Sequence, residues 1–150
     1  EVERLAAAGL SLPPVTAPLA AYVPAKLDGR RVYVSGQVPM VDGSPAATGK
    51  VGAEVSAEDA KELARLCGLN ALAAVHALVG IDAVVRVVKV VGFVASAKDF
   101  DGQPGVINGA SELFGEVFGD SGAHARSAVG VSELPRNSPV EVEIIVEVRG

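Results

Sequence analysis

The clearest alternation of apolar and polar positions lies near the end of the chain, from Val140 to Val148. The segment reads VEVEIIVEV, so aliphatic residues fill one set of alternate positions and three glutamates fill most of the other set. A period of two residues is typical of a β-strand with one face on a core. We predict a strand here, with its aliphatic side covered by helices and its glutamates on the opposite side.

Helical spacing is found between Ser56 and Val79. Ser56 is a favourable N-cap, Asp59 suits the first turn, and Gly80 can end the helix. The positions expected on one apolar stripe are Leu63, Cys67, Ala71, Ala74 and Leu78. The small side chains predict a helix that lies close against a sheet.

Two other segments are predicted to be helical. The first residues, EVERLAAAGL, have the pattern of a short amphipathic helix, which the prolines of LSLPPVTAP end by imposing an extended path. A further helix is predicted from Pro104 to Phe118. Its apolar positions are Ile107, Leu113, Phe114 and Val117.

Several segments favour strands and turns. LAAYVPAKLDGRRVYVSGQVP contains two β-prone stretches separated at Asp28-Gly29, a dipeptide that suits a hairpin turn. The valine-rich IDAVVRVVKVVGFVAS predicts a strand covered on both faces. A strand over Ala125 to Ser132 is followed by ELPRNSP, which predicts a turn before the final strand. MVDGSPAATGKVG is expected to be a surface loop.

The element order is α, β-β, α, β, α, β-β, which indicates an α+β fold. At 150 residues the chain fits a single domain, residues 1–150, in which residues 1–18 form the N-terminal helix and a proline-rich lead-in. We expect a mixed β-sheet with helices packed on one face.

Composition points to association with further copies of the chain. Apolar residues make up 49% of the chain, aromatic residues only 4%, and tryptophan is absent. Such an aliphatic chain is expected to have apolar surface left over from its core, and a symmetric oligomer would cover it. The net charge of −5 opposes attraction to phosphate backbones, so we expect no nucleic-acid partner.

Cysteine use and hydropathy favour a cytoplasmic protein without a membrane span. Cys67 is the single cysteine, which excludes an internal disulfide, and no Cys/His cluster has the spacing of metal ligands. The longest aliphatic stretch, Ala83 to Ala95, includes Arg86 and Lys89 and is shorter than the ~20 residues of a membrane helix. The first residues lack the basic region of a secretion signal.

Arg126 is the residue whose surroundings most suggest chemistry. It lies in ARSAV, among small side chains on a predicted strand, and a partly buried guanidinium of this kind favours a planar anion. The anion is either a glutamate of the final strand or the carboxylate of a substrate. For any one of those glutamates, a simply solvated position is the commoner alternative.

Other residues that can carry chemistry favour structural roles. His76 is interpreted as a structural or surface residue. His124 either borders a cleft or, as we favour, lies in a loop. Cys67 is expected to be a buried structural thiol. Ser35 lacks the Gly-x-Ser-x-Gly elbow of an acyl-transfer nucleophile, so we interpret it as a hydrogen-bond donor to a ligand.

Three segments, in order, resemble the signatures of one family. They are VYVSGQVP, INGASELFGEVF and HARSAVGVSELPRNSPVEVEIIVEV. This combination resembles the YjgF/RidA family of reactive-intermediate (enamine/imine) deaminases, also called the endoribonuclease L-PSP family. The resemblance extends from Ala21 to Val148, although LAAYVPA replaces the common Gly-Pro-Tyr and DFDGQPGVIN is longer than the usual link.

The resemblance implies a chorismate mutase-like fold and a homotrimer with clefts between neighbouring subunits. It also implies hydrolysis of short 2-imino acids, such as 2-iminopropanoate, to 2-keto acids and ammonia, without a metal or organic cofactor. Arg126 would hold the substrate carboxylate and Glu141 would be associated with the attacking water. The matched residues that would line the pocket are Ser35, Gly36, Tyr22 and Asn108.

Two other function classes remain open. One is a small-carboxylate-binding or chaperone-like module on the same scaffold, without turnover. The other is an RNA-cleaving protein, and the acidity of the chain and the absence of a basic stripe count against it.

Overall fold

The computed structural model describes residues 2–7, 9–17 and 21–150. The helices in this part of the chain are α1 (Val2–Ala7), α2 (Ala57–Val79) and α3 (Gln103–Phe118). The strands are β1 (Ala25–Asp28), β2 (Arg31–Gln37), β3 (Met40–Val41), β4 (Ser44–Pro45), β5 (Val84–Ala95), β6 (Ala125–Val131) and β7 (Val140–Val148). The predicted N-terminal helix is confirmed over α1, whereas Pro18, the last residue of the predicted extended path, lies outside the described residues.

The main sheet has the order β1-β2-β7-β5-β6. Its pairs are antiparallel except for β5 and β6, which run parallel because α3 carries the chain back between them. The sheet is therefore mixed, and with α2 and α3 packed against it the fold is the predicted α+β type.

Local sequence signals predicted the β1–β2 turn and the two ends of α2. The hairpin turn between β1 and β2 lies within one residue of the predicted Asp28-Gly29. Asp28 pairs with Arg31, so Gly29 and Arg30 are the turn residues, and Gly29 adopts a φ of +62°. Helix α2 begins after Ser56, whose Oγ accepts the backbone N–H of Asp59 at 3.1 Å, and it ends at Gly80.

The stripe predicted for α2 is confirmed except at its end. Cys67, Ala71 and Ala74 are buried, but Leu78 is 45% exposed. The side chains of residues 76–78 are exposed in the last turn of α2, where Leu78 borders an open pocket with Pro24 and Ala25. Periodicity alone does not reveal where the covering partner ends.

One face of the sheet is covered by helices and the other is not. The aliphatic positions of β7 are buried as predicted, and Val87, Val90 and Val94 of β5 are buried on the same side. The prediction that β5 is covered on both faces was wrong for a single chain, because α2 and α3 lie on one side only. We call the opposite side, which carries Arg86 and Phe93, the open face.

Two connections differ from the predictions. The predicted surface loop after β2 contains the small β3–β4 hairpin and buries Met40 and Val51. The segment between β6 and β7 makes a 3-10 turn at Pro135–Asn137 and carries the chain past β5, since β6 and β7 are not neighbours in the sheet.

Helix α2 has the length and apolar composition that a membrane span requires, as the only such helix in the described part of the chain. Half of its most apolar stretch is buried inside the fold. Core helices of soluble proteins meet the same criteria, so this feature is weak evidence for a membrane span.

Candidate functional site

The guanidinium of Arg126 is held by three neutral acceptors. Its Nη1 donates to Asn108 Oδ1 at 2.7 Å and to Ser111 Oγ at 3.1 Å, and its Nη2 donates to the Pro104 carbonyl at 3.3 Å. Arg126 makes no ion pair with any residue that the structure describes. The alternative that a strand glutamate neutralises Arg126 is therefore excluded within one chain.

This arrangement leaves part of the guanidinium available. An arginine side chain has five N–H donors and no acceptor. Three of these donors are used by α3, which leaves one donor on Nε and one on Nη2. Two donors are what a carboxylate needs for a bidentate contact.

Helix α3 supplies the acceptors because of their spacing. Pro104, Asn108 and Ser111 are separated by four and three residues, so they share one helix face. Sequence reasoning found Asn108 through the family resemblance and missed Ser111. The spacing of Asn108 and Ser111, two polar residues three positions apart on a predicted helix before a strand with an arginine, was the signal that could have found it.

His124 completes this group, which we call the Arg126 cluster (Pro104, Asn108, Ser111, His124 and Arg126). The residue lies in the loop before β6, as favoured from the sequence. Its Nε2 is 2.9 Å from Ser111 Oγ and its Nδ1 is 2.6 Å from the Gly122 carbonyl oxygen. His124 thus joins the Arg126 cluster through Ser111, and its position beside a substrate cleft stays a prediction.

Glu141 belongs to a second group on the open face, which we call the Glu141 cluster (Ser35, Gly36 and Glu141). The Glu141 carboxylate lies where a side chain of residue 36 would be: a Cβ on Gly36 would overlap Oε2 and lie 2.8 Å from Cδ. Burial, and secondly the negative charge of Glu143, raises the pKa of Glu141.

Ser35, a member of the Glu141 cluster, contacts the chain directly after Tyr22. The Ser35 hydroxyl donates to the Val23 carbonyl at 2.6 Å, so its hydrogen is used by the chain in this structure. Ser35 can still accept a hydrogen bond from a ligand. Tyr22 precedes Val23 directly and is 45% exposed.

The two clusters lie on opposite faces of the sheet. Arg126 pairs with Val90 on the helix-covered side, whereas Glu141 pairs with Phe93, three positions along β5. Two strand spacings of about 4.8 Å and three residues of about 3.3 Å place the Arg126 and Glu141 backbones about 14 Å apart. The structure thus joins Arg126 to Asn108 and Glu141 to Gly36, but it does not bring Arg126 and Glu141 together within one chain.

The other glutamates of β7 differ from each other. Glu147 lies between Arg30, Arg31 and Arg86, with N–O distances of 3.7, 3.5 and 3.6 Å. It is therefore an ion-pair residue at the far end of the strand from Glu141. Glu143 is half-buried on the open face and forms no ion pair within the described residues.

His76 and Cys67 have the structural roles expected. The Nδ1 of His76 accepts the backbone N–H of Ile81 at 3.1 Å, which fastens the end of α2 to the following turn. Cys67 is fully buried, and burial, followed by the charge of Glu141, raises the pKa of its thiol well above the usual value. Across the described ranges, no three His, Cys, Asp or Glu side chains are grouped so that they could hold a metal ion.

Comparison with known proteins places this geometry in context. Residues 2–148 match the family model of the YjgF/chorismate mutase-like endoribonuclease family. Protein TCP17 of Trypanosoma cruzi is 42% identical over 141 residues, which cover 93% of this chain and 88% of that protein. The 2-iminobutanoate/2-iminopropanoate deaminase of Dermatophagoides farinae is 34% identical over 138 residues, which cover 91% of this chain and 93% of that protein.

A solved structure agrees over nearly the whole chain. The crystal structure of Atu1372, a protein of unknown function from Agrobacterium tumefaciens, matches with a TM-score of 0.91 and 45% sequence identity. The match covers 98% of this chain and 91% of that one.

Proposed function

Because the chain belongs to the YjgF/chorismate mutase-like family, we propose that it is a cofactor-independent enamine/imine deaminase. The proposed substrates are short 2-imino acids such as 2-iminopropanoate, and the products are the 2-keto acid and ammonia. The deaminase of Dermatophagoides farinae, at 34% identity, supports this choice among the activities considered for the family.

The observation that carries the proposal is the state of Arg126. Its guanidinium is positioned by Asn108, Ser111 and Pro104, yet no carboxylate of the described chain neutralises it. A positioned, uncompensated arginine with two remaining donors fits the planar carboxylate of a 2-imino acid. Binding of that carboxylate orients the conjugated C=N group, since the two lie in one plane.

Glu141 is proposed to act on the water. Its carboxylate takes a proton from a water molecule as the water oxygen bonds to the imine carbon, and the C=N π electrons move to nitrogen. Attack on the protonated imine gives a carbinolamine. Glu141 returns its proton to the amine nitrogen, the C–N bond breaks as the C=O bond forms, ammonia leaves, and the remaining hydroxyl proton passes to water. A raised carboxyl pKa suits this exchange, because general acid–base groups are most effective near the working pH.

The position of the two clusters supports an assembly in which the site is shared. Since Arg126 and Glu141 lie on opposite faces of one sheet, a site that contains both needs a second chain. We propose the family's homotrimer, with the Arg126 cluster of one subunit facing the Glu141 cluster of its neighbour. Tyr33 and Val129, which are 46% and 44% exposed on the open face, are suitable interface residues.

The proposal is tested by ammonia release from 2-iminopropanoate generated in situ by an amino acid oxidase. Arg126→Ala removes a charge-assisted contact worth ~1.5–3 kcal/mol, so kcat/KM should fall about 10- to 150-fold. Arg126→Lys keeps the charge and loses the planar fork, so it should recover only part of the rate. Arg149→Ala, at an exposed arginine near the end of the chain, is the matched control. Equal rates for wild type and Arg126→Ala would remove the deaminase proposal.

The shared site is tested by mixing two inactive variants. Arg126→Ala and Glu141→Ala chains, co-refolded in equal amounts, should regain about one quarter of wild-type activity if each site uses one residue from each of two neighbours. A site formed within one chain would give no recovery. Sedimentation of the wild type should give three chain masses, and a monomer would contradict the assembly.

The alternative is a module that binds small carboxylates without turnover. The positioned Arg126 favours this function as well, because binding alone needs only the arginine. In that case, calorimetry with a 2-keto acid would give binding that Arg126→Ala abolishes, while no ammonia is released above the uncatalysed rate. The two measurements together separate the enzyme from the binding module.

A further inference from the structure

A directed chain of hydrogen bonds lies behind Arg126. Arg126 Nη1 donates to Ser111 Oγ at 3.1 Å, and Ser111 Oγ is 2.9 Å from His124 Nε2. The other ring nitrogen, Nδ1, is 2.6 Å from the carbonyl oxygen of Gly122. Neither Ser111 nor His124 nor the Gly122 carbonyl is needed to contact the substrate in the proposed reaction.

The end of this chain determines the direction of each bond. A carbonyl oxygen only accepts hydrogen bonds, so Nδ1 of His124 must carry the hydrogen. In a neutral imidazole, Nε2 is then an acceptor, and the Ser111 hydroxyl donates to it. The lone pairs of Ser111 Oγ remain for the Nη1 hydrogen of Arg126.

The ring of His124 is held from two further sides. Phe114 packs edge-on against it, with ring centroids 6.0 Å apart and planes at 79°. The Gly122 carbonyl belongs to the Gly119–Gly122 turn, and a Cβ on Gly122 would lie 2.7 Å from the Phe114 carbonyl carbon and overlap its oxygen. The turn, the phenyl ring and the histidine are therefore packed as one unit.

We propose that Ser111 and His124 are positioning residues for Arg126. His124 in its Nδ1–H tautomer orients the Ser111 hydroxyl, and the oriented oxygen holds Nη1 so that the Nε and Nη2 donors face the ligand carboxylate. This inference rests on the proposed function, because the ligand carboxylate is what the positioned donors bind. The inference adds two residues to the site: Ser111, which contacts Arg126, and His124, which contacts Ser111. Neither residue contacts the reacting atoms.

The tautomer is tested first, by long-range ¹H–¹⁵N correlation NMR of the neutral histidines in the full-length wild-type protein. The chain has two histidines, and the second is an internal reference. His76 accepts the Ile81 N–H at Nδ1, so its neutral form carries the hydrogen on Nε2. The spectrum should therefore show one histidine with its hydrogen on Nδ1 and one with its hydrogen on Nε2. The cross-peaks of His124 are assigned as those that disappear in the His124→Phe variant. A His124 with its hydrogen on Nε2 would overturn the proposal.

The positioning role is tested by binding of pyruvate and by steady-state kinetics. Ser111→Ala removes one neutral acceptor, so the Kd for pyruvate and the KM for 2-iminopropanoate should rise about 3- to 10-fold, with kcat changed less. Ser111→Thr keeps the hydroxyl and should restore both values to within about twofold of wild type. His124→Phe preserves the packing on Phe114, loses both hydrogen bonds and should resemble Ser111→Ala. Ser121→Ala, in the exposed part of the same turn, is the matched serine control.

The outcomes separate this inference from the proposed function. If Arg126→Ala weakens pyruvate binding and Ser111→Ala and His124→Phe do not, the positioning role is refuted and the proposed function stands. If Arg126→Ala leaves binding and turnover unchanged, the proposed function itself fails. If Ser111→Thr is as impaired as Ser111→Ala, the hydroxyl is not the group that matters and the proposal is overturned. Melting temperatures of the variants identify any loss that comes from unfolding.

Discussion

Gly109 lies where α3 crosses α2, and replacing it tests how closely the two helices are packed. A Cβ at this position would lie 2.9 Å from the carbonyl carbon of Lys61 and 3.2 Å from the amide nitrogen of Arg65, and it would overlap the Lys61 carbonyl oxygen. These are backbone atoms of a core helix, so they cannot rotate away. Gly109→Ala must therefore push the helices apart.

The magnitude follows from two opposing effects. Overpacking costs roughly 1–3 kcal/mol, and a rigid backbone obstacle favours the upper end of that range. Alanine is more favourable than glycine in a helix interior by about 1 kcal/mol. The net loss in the free energy of unfolding should be about 2 kcal/mol, which corresponds to a melting temperature lower by about 4–8 °C for a domain of this size.

Gly115→Ala is the matched control on the same helix. Gly115 is exposed, and a Cβ there would have no atom within 4 Å. The substitution should raise the free energy of unfolding by about 0.5–1 kcal/mol. Urea unfolding followed by circular dichroism would measure both variants, at one fixed chain concentration because association stabilises the folded state. The reasoning is refuted if Gly109→Ala is as stable as the wild type.

Two further predictions concern titration and capping. Burial raises the pKa of Glu141 in the folded state. The folded state therefore binds this proton more tightly than the unfolded state, and the resulting stabilisation is fully present below the ordinary carboxyl pKa of 4.5. It is lost as the pH rises through the raised pKa. Glu141→Gln should therefore be more stable than the wild type at pH 7, and the advantage should disappear towards pH 4 in thermal melts; a difference independent of pH would contradict the burial of this carboxyl. Ser56→Ala should lower the free energy of unfolding in urea by about 1 kcal/mol, because Ser56 Oγ accepts the Asp59 N–H at the start of α2. Ser56→Asp should lower it little, since aspartate also caps helices. Equal losses for both variants would exclude the capping role.

Sequence reasoning succeeded where neighbouring residues determine the outcome. The position of the β1–β2 turn depends on the backbone dihedral angles that Gly29 permits, and the start of α2 depends on a cap between residues three positions apart. Periodicity likewise predicted the buried side of β7. The end of the α2 stripe was wrong at Leu78, because exposure depends on which segments the fold packs over that turn.

The candidate site also contains residues that sequence motifs identify and residues that only tertiary packing brings together. The family resemblance identified Arg126 and Asn108, and the structure places them in direct contact at 2.7 Å. Ser111 and His124 were not recognised as members of that cluster, because they come from a helix and a loop that only packing brings together. The roles of Glu141, Ser35, Gly36 and Tyr22 in a substrate pocket stay predictions.

The sequence by itself determined the family, the order of the main helices and strands, and the side of β7 that faces the core, since these follow from short-range periodicity and from motifs in one order. Only the tertiary structure decided that β7 lies between β2 and β5, and that Arg126 and Glu141 face opposite sides of one sheet. Strand order and register depend on pairing between residues far apart in the chain, where a shift by one residue reverses the face of every side chain.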